Sequence, residues 1–227
     1  MARRPRNYLK GYTYHLVQRG VNRARTFFKP EDYFYYLTLW RDYSTRTDLQ
    51  VHAYCLMGNH VHFLVTPQKN DSISNTTRLV GSRYAAWINK QNSRTGTLWE
   101  GRHWSSLIDS DNYLLRCYRY IELNPVRARL CLVPEGYLWS SYHLNTGSDT
   151  GWLEPHPLFL ELGSDQHLRS EIYAEFVKED TSQAEVTMFN KGFLTNRPTA
   201  EHEFIKQVET RHGISFGQGY IGRPWSR

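Results

Sequence analysis

Residues 53–66 read Ala53-Tyr-Cys-Leu-Met-Gly-Asn-His-Val-His-Phe-Leu-Val-Thr66, and the predicted sheet is built around them. Its β-branched and aromatic residues on either side of Gly58-Asn59 predict two strands joined by a tight turn. Because side chains alternate across a strand, His60 and His62 should emerge on one face of the sheet. Two imidazoles placed in this way can hold a divalent cation and leave positions for a third ligand and a substrate. The alternative is a pair of structural histidines, and a third ligand and a nucleophile would decide between the two.

The flanking sequence extends this hairpin to an α+β fold. A strand at residues 12–17 and a helix at 30–47 precede it, and a helix at 72–91 follows. A loop then leads into a fourth strand near Trp104, and a third helix covers residues 113–121. Strand-helix-strand units split by a hairpin predict a ferredoxin-like antiparallel sheet with helices packed on one face.

The chain divides into three predicted segments. They are a basic N-terminal arm at 1–10, the α+β domain at 11–146, and a C-terminal extension at 147–227. The extension opens with a linker rich in Gly, Pro, Asp and Ser at 147–157 and is mostly helical, with helices predicted at 166–178 and 200–211 before a basic tail.

Composition excludes several classes of protein. The 227 residues are 40% hydrophobic and 15% aromatic, which is typical of a folded chain. No apolar run reaches the roughly 18 residues of a membrane span, and no apolar signal core follows the basic N-terminus, so we expect a cytoplasmic protein without membrane contact. Three widely spaced cysteines argue against a disulfide framework and a zinc finger.

Positive charge is concentrated at the N-terminus. The first 30 residues contain eight basic side chains and no acidic one, whereas the remainder carries 20 basic against 22 acidic groups. The eight are Arg3, Arg4, Arg6, Lys10, Arg19, Arg23, Arg25 and Lys29. Such a block attracts a polyanion, and nucleic acid is the commonest one; the alternative is a solvated arm without a dedicated partner.

The third predicted helix offers a nucleophile. At 3.6 residues per turn, Tyr113, Cys117, Tyr120 and Asn124 share one face, while Tyr118 points elsewhere. Tyr120 and Asn124 can supply a nucleophile and a third metal ligand if this face packs over the two histidines. The alternative is that these tyrosines are aromatic core residues.

Two motifs carry a family resemblance. The hairpin at 53–67 and Tyr118-Arg-Tyr-Ile-Glu-Leu-Asn-Pro-Val-Arg-Ala128 occur in order with three supporting pieces. Those pieces are Gln18-Arg-Gly-Val-Asn-Arg23, Leu98-Trp-Glu-Gly-Arg102 and Trp139-Ser-Ser-Tyr142. Together, over about residues 8–145, they resemble the single-tyrosine HUH transposases (IS200-like), and specifically the REP-associated tyrosine transposases.

The resemblance implies a site and a reaction. It makes 11–146 an HUH-type catalytic domain, with His60, His62 and Asn124 as metal ligands and Tyr120 as nucleophile. The analysis of the helix face also favours Tyr120 and leaves Tyr113 as the second choice. The implied activity is cutting and rejoining of single-stranded DNA at REP-like hairpins through a 5′-phosphotyrosine. The implied metal is Mg²⁺ or Mn²⁺; ligand softness favours Mn²⁺, whereas cellular abundance favours Mg²⁺. The active unit is a monomer or a homodimer.

A DNA-binding surface is predicted from residue chemistry. Arginines of the arm and of the loop after the first strand suit phosphates, and two tryptophans with a further arginine suit unpaired bases. The candidates are Arg3, Arg4, Arg6, Arg19, Arg23, Arg25, Trp99, Arg102 and Trp104. For each tryptophan a core role is the alternative.

Two other functions compete with this one. A non-catalytic regulator that binds nucleic-acid hairpins is compatible with the fold, but it does not need the His-x-His pair. A relaxase or replication initiator shares the chemistry, but the chain is short and lacks an ATPase motif.

Overall fold

The computed structural model describes residues 8–147 and 150–216. The strands are β1 (Tyr14–Arg19), β2 (Leu49–Met57), β3 (His60–Pro67) and β4 (Trp104–Leu107). The helices are α1 (Pro30–Arg46), α2 (Ser72–Gln91), α3 (Ser110–Glu122), α4 (Asn124–Arg127), α5 (Tyr142–Asn145), α6 (Pro157–Leu160), α7 (Gln166–Lys178), α8 (Gln183–Thr195) and α9 (His202–His212).

The four strands form one antiparallel sheet in the order β2-β3-β1-β4. Gly58-Asn59 makes the two-residue connection between β2 and β3, and the register sets Met57 opposite His60. On the other side of β3, Val17 of β1 stands opposite His62. The predicted fold class, an α+β ferredoxin-like sheet with helices packed on it, is confirmed.

Helices cover both faces of this sheet. Phe63 faces α1, where it stacks on Trp40 with ring centroids 3.7 Å apart. Leu64 points the other way, into a core that it shares with Cys117 and Ile121 of α3. The prediction that helices lie on one face is therefore wrong. Residues on both faces of β3 are buried, so the strand pattern does not distinguish the two faces of the sheet. The apolar stripe of a helix therefore does not reveal which face the helix covers.

The C-terminal extension packs closely against the sheet edge. Thr199 N donates to Leu107 O at 2.7 Å, and Asp109 N donates to Thr199 O at 3.1 Å, so this segment pairs with the end of β4. Helix α8 approaches the same edge at Gly192, where an added Cβ would lie 2.2 Å from Thr199 Oγ1. Only glycine allows the helix to come this near.

The sequence predicts a linker at 147–157, but its described part contains packed residues. Trp152 stacks on Tyr54 with centroids 5.8 Å apart, and Leu153 is buried. Glu154 N donates to Val51 O at 2.9 Å. Residues 152–154 therefore lie against β2, and the division at 146 and 147 stays a prediction. Within the described residues, no helix has both the length and the apolar character needed to cross a bilayer.

Candidate active site

The two motif histidines lie side by side on the α3 face of the sheet. Their ring centroids are 5.0 Å apart, as their alternate positions on β3 require. Burial, helped by the nearby Arg19 charge, lowers the pKa of His60 to about 4. Burial also holds the pKa of His62 well below its usual value. Both imidazoles are therefore neutral at pH 7 and have a lone pair to offer.

A third histidine, His15 of β1, adjoins this pair. Its Nε2 lies 2.9 Å from His62 Nδ1, and the two rings are nearly parallel at 16°. His62 Nε2 is buried and has no hydrogen-bond partner in the part of the chain that the structure describes. Sequence reasoning missed His15, whose signal is a histidine that alternates with the apolar Tyr14 and Leu16 along β1.

Asn59 holds the other histidine. Its Oδ1 lies 2.6 Å from His60 Nδ1, while its Nδ2 donates to Arg23 O at 3.0 Å. The sequence indicates only a turn role for Asn59, because its contact with Arg23 depends on how the loop after β1 meets the hairpin turn.

Tyr120 is the tyrosine of α3 that meets the histidines. Its ring centroid lies 6.0 Å from that of His62 and 5.7 Å from that of His15. Tyr118 faces away and stacks on Phe159 at 5.2 Å. The Tyr113 hydroxyl donates to Glu201 at the surface. The face analysis that favoured Tyr120 therefore matches the packing.

Asn124 begins the short helix α4, one turn after Tyr120. Its Nδ2 donates to Tyr120 O at 3.0 Å and to Ile121 O at 3.2 Å. These bonds leave the carboxamide oxygen, the atom that would bind a metal, outside both contacts.

The candidate ligands fit a metal site without a carboxylate or thiolate. No cluster of three His, Cys, Asp or Glu side chains suited to a metal occurs in residues 8–147 and 150–216. Two imidazoles and one amide oxygen would have to serve instead. The buried, unpartnered Nε2 of His62 is the observation that supports them, because a buried polar atom normally has a partner.

Arg127 places a positive charge over the candidate nucleophile. Its guanidinium carbon lies 4.4 Å from the Tyr120 ring centroid, and its Nη2 donates to Tyr120 O at 2.5 Å. Burial raises the pKa of the Tyr120 phenol to about 12, and the Arg127 charge acts in the opposite direction. The arginine lies in the recognised motif, but its placement depends on how α4 folds back on α3.

Helix α8 covers the candidate site. Asn190 Oδ1 accepts a hydrogen bond from the Tyr120 hydroxyl at 3.0 Å, and the Phe193 ring lies 5.5 Å from His15 and 6.0 Å from His62. Tyr120 and His62 are each only 2% exposed as a result. The sequence analysis did not predict α8, although a capping box at Ser182 and Glu185 marks its start.

The predicted DNA-contacting residues have different environments. Arg23, Arg25 and Arg102 are exposed. Arg19 pairs with Glu100 at 2.6 Å and lies 4.9 Å above the half-buried Trp104 ring.

Of the two tryptophans, Trp99 has the core role that was given as its alternative. It is 7% exposed and donates from Nε1 to Gly81 O, so it packs in the core and presents no open face to a base. Arg3, Arg4 and Arg6, with most of the predicted arm, lie outside the described residues.

Comparison with known proteins now identifies the family. The model of the IS200-like transposases matches residues 8–124, just over half of the chain. The chain belongs to the IS200-like transposase family. The matched region contains the sheet, both histidines, Tyr120 and Asn124, and the resemblance inferred from the motifs is confirmed.

Two relatives are similar over part of the chain. A Haemophilus influenzae protein that carries the name REP-associated tyrosine transposase is 26% identical over 101 residues, which are 40% of this chain and 57% of that protein. The chain therefore spans a little over half the length of that relative. A solved REP-associated tyrosine transposase bound to a REP hairpin superposes with a TM-score of 0.56 at 18% identity, covering 68% of this chain and 89% of the other. That likeness establishes the shared fold.

Proposed function

We propose that this transposase-family chain is a metal-dependent single-stranded DNA nuclease and strand transferase that cuts at REP-like hairpins. The observation that carries the proposal is the phenol of Tyr120 facing the His62 imidazole on the same side of the sheet, with centroids 6.0 Å apart. A binding module has no need of a nucleophile beside two neutral imidazoles. The hairpin substrate is supported by the family and by the relative bound to a REP hairpin.

The residues have separate roles in this proposal. His60, His62 and the Asn124 oxygen would hold Mg²⁺ or Mn²⁺, which supplies charge to screen the phosphodiester. The Tyr120 oxygen attacks phosphorus, the bond to the 3′-oxygen breaks, and the phenol proton is lost as the leaving oxygen gains one. The product is a 5′-phosphotyrosine and a free 3′-hydroxyl. Arg127 favours the phenolate that develops, against the opposing effect of burial.

The covered state implies a step before chemistry. Tyr120 cannot reach a phosphodiester while its hydroxyl is bonded to Asn190 and its ring is 2% exposed. Helix α8 must therefore move away from Tyr120 before DNA can reach the candidate site.

A covalent-adduct assay tests the proposal. The full-length protein is mixed with a single-stranded REP-type hairpin, with Mn²⁺, Mg²⁺ or no metal, and denaturing gels are examined for a DNA-shifted protein band. We expect a metal-dependent adduct that Tyr120→Phe abolishes. Tyr118→Phe is the matched control, since Tyr118 lies on the same helix but packs on Phe159, and it should retain the adduct.

Tight hairpin binding without an adduct under any metal would contradict the nuclease. It would favour the non-catalytic hairpin-binding regulator. The observation that supports this alternative is that α8 covers Tyr120, whose hydroxyl donates to Asn190.

The basic arm is tested separately through salt dependence. Each phosphate contact adds about 0.7 to the slope of log affinity against log salt for single strands. Neutralising Arg3, Arg4 and Arg6 together should weaken hairpin binding and reduce that slope by about two. Binding is measured by fluorescence anisotropy between about 50 and 200 mM salt. A slope equal to that of the unmodified protein would remove the arm from the interface.

A further inference from the structure

Asn59 links a candidate metal histidine to the basic loop that follows β1. Its Nδ2 donates to Arg23 O at 3.0 Å, and its Oδ1 lies 2.6 Å from His60 Nδ1. Backbone bonds fix the same junction, because Gly20 N donates to Asn59 O and Thr26 N donates to Gly58 O. The loop and the hairpin turn are therefore held together at the histidine.

These contacts determine where the proton of His60 lies. A carbonyl oxygen only accepts, so the Asn59 atom that faces Arg23 O must be the amide nitrogen. The Asn59 atom that faces His60 is then the oxygen, which also only accepts. His60 Nδ1 must carry the hydrogen, and in a neutral ring the lone pair is left on Nε2.

His62 has the same arrangement with a different partner. Its Nδ1 is engaged by His15 Nε2 at 2.9 Å, and its Nε2 is buried without a partner within the described residues. A lone pair on His62 Nε2 requires that Nδ1 donate and that His15 Nε2 accept. Metal-bound histidines commonly use an acceptor on the second nitrogen to fix the tautomer and the ring orientation.

We infer that Asn59 and His15 are positioning residues that hold His60 and His62 with Nδ1 donating and both Nε2 atoms available to one metal ion. The inference rests on the proposed function for its metal, but its proton placement concerns only residues of this chain. Through Arg23 O, Asn59 also ties the ligand to a loop whose arginines are exposed.

Nuclear magnetic resonance tests the proton placement without metal or activity. Long-range nitrogen–proton spectra of full-length protein with ¹⁵N-labelled histidine distinguish the two neutral tautomers, and single His60→Gln and His62→Gln variants assign the signals. We expect the Nδ1–H form for both residues. An Nε2–H form at either histidine in the unmodified protein would overturn the role of its partner.

Metal affinity tests the consequence. Mn²⁺ binding to full-length protein is measured by calorimetry for Asn59→Ala and His15→Phe, which remove the acceptors, and for Asn59→Asp and His15→Gln, which keep an oxygen acceptor. Loss of an orienting partner should weaken Mn²⁺ binding by about 10- to 100-fold, whereas the acceptor-retaining variants should lose less than about tenfold.

Two controls separate orientation from general damage. Asn89→Ala removes an amide that donates to Gly96 O at 2.9 Å in another loop, and His52→Gln alters a buried histidine bonded to Thr66. Both should bind Mn²⁺ as the unmodified protein does.

The outcomes distinguish this inference from the proposed function. If Mn²⁺ binding is lost in His60→Gln and His62→Gln but unchanged in Asn59→Ala and His15→Phe, the positioning roles fail and the metal site stands. If the unmodified protein binds no Mn²⁺ and forms no adduct, the proposed function fails and these roles fail with it.

Discussion

The two faces of β3 use neighbouring residues for opposite purposes. On one face, Phe63 packs against Trp40 and the surrounding rings of α1 and α2. On the other, His62 meets His15 and Tyr120, and Glu122 is fully buried a short distance along α3. Apolar burial stabilises the first face directly, whereas each polar group on the second loses hydration and must recover it through a specific partner. The first face should therefore govern stability, and the second should govern pH response and chemistry.

Truncation of Phe63 should produce the largest loss of stability. Phe63→Ala removes a ring that is stacked at 3.7 Å on Trp40 and is 1% exposed, and such cavities cost about 3–5 kcal/mol. Urea denaturation followed by circular dichroism measures the change in free energy of unfolding. Phe28→Ala, at an exposed ring, is the control and should be nearly neutral. Equal effects of the two substitutions would contradict the assignment of stability to this face.

On the opposite face, Glu122 should make the stability of the protein depend on pH. This carboxylate accepts from Ser141, from Asn145 at 2.7 Å and from Tyr173 at 2.7 Å, joining α3 to α5 and α7. Burial nevertheless raises the pKa of Glu122 from 4.5 to about 7, although the three hydrogen bonds oppose that rise. The folded state therefore binds the Glu122 proton more tightly than the unfolded state does.

The sign of the pH effect follows from this difference. Protonated Glu122 contributes to the free energy of unfolding. This contribution is fully present below about pH 4.5 and is lost as pH rises through about 7, a change of about 3 kcal/mol. Glu122→Gln keeps an oxygen acceptor and cannot ionise, so its stability relative to the unmodified protein should rise across that window. Urea denaturation at intervals between pH 5 and pH 8 measures the difference. A difference that does not change with pH would mean that Glu122 is ionised throughout the window.

The contrast between the faces also explains what the sequence could predict. Strand alternation placed His60 and His62 together, and helical spacing singled out Tyr120, because both depend on residues close in the chain. The partner of His62 depends on β1 lying beside β3, which only the strand order decides. The cover over Tyr120 depends on Gly192 of α8 meeting the edge of β4. The two elements are far apart in sequence: Ser105 N donates to Asn196 Oδ1, which lies 91 residues further along the chain. Local patterns thus predict the reactive groups, and tertiary pairing decides their state.

The smallest expected effect concerns the bond that closes the second face. Asn190→Ala removes the acceptor of the Tyr120 hydroxyl and should weaken the seat of α8 by about 0.5–1.5 kcal/mol. If uncovering Tyr120 limits the proposed reaction, the covalent adduct should form roughly two- to tenfold faster, since each 1.4 kcal/mol corresponds to a factor of ten. Adduct formation with a labelled hairpin is timed beside Lys191→Ala, an exposed neighbour on α8 that should leave the rate unchanged. A slower reaction in Asn190→Ala would show instead that Asn190 assists Tyr120, because a residue that merely covers the phenol cannot slow the chemistry by its removal.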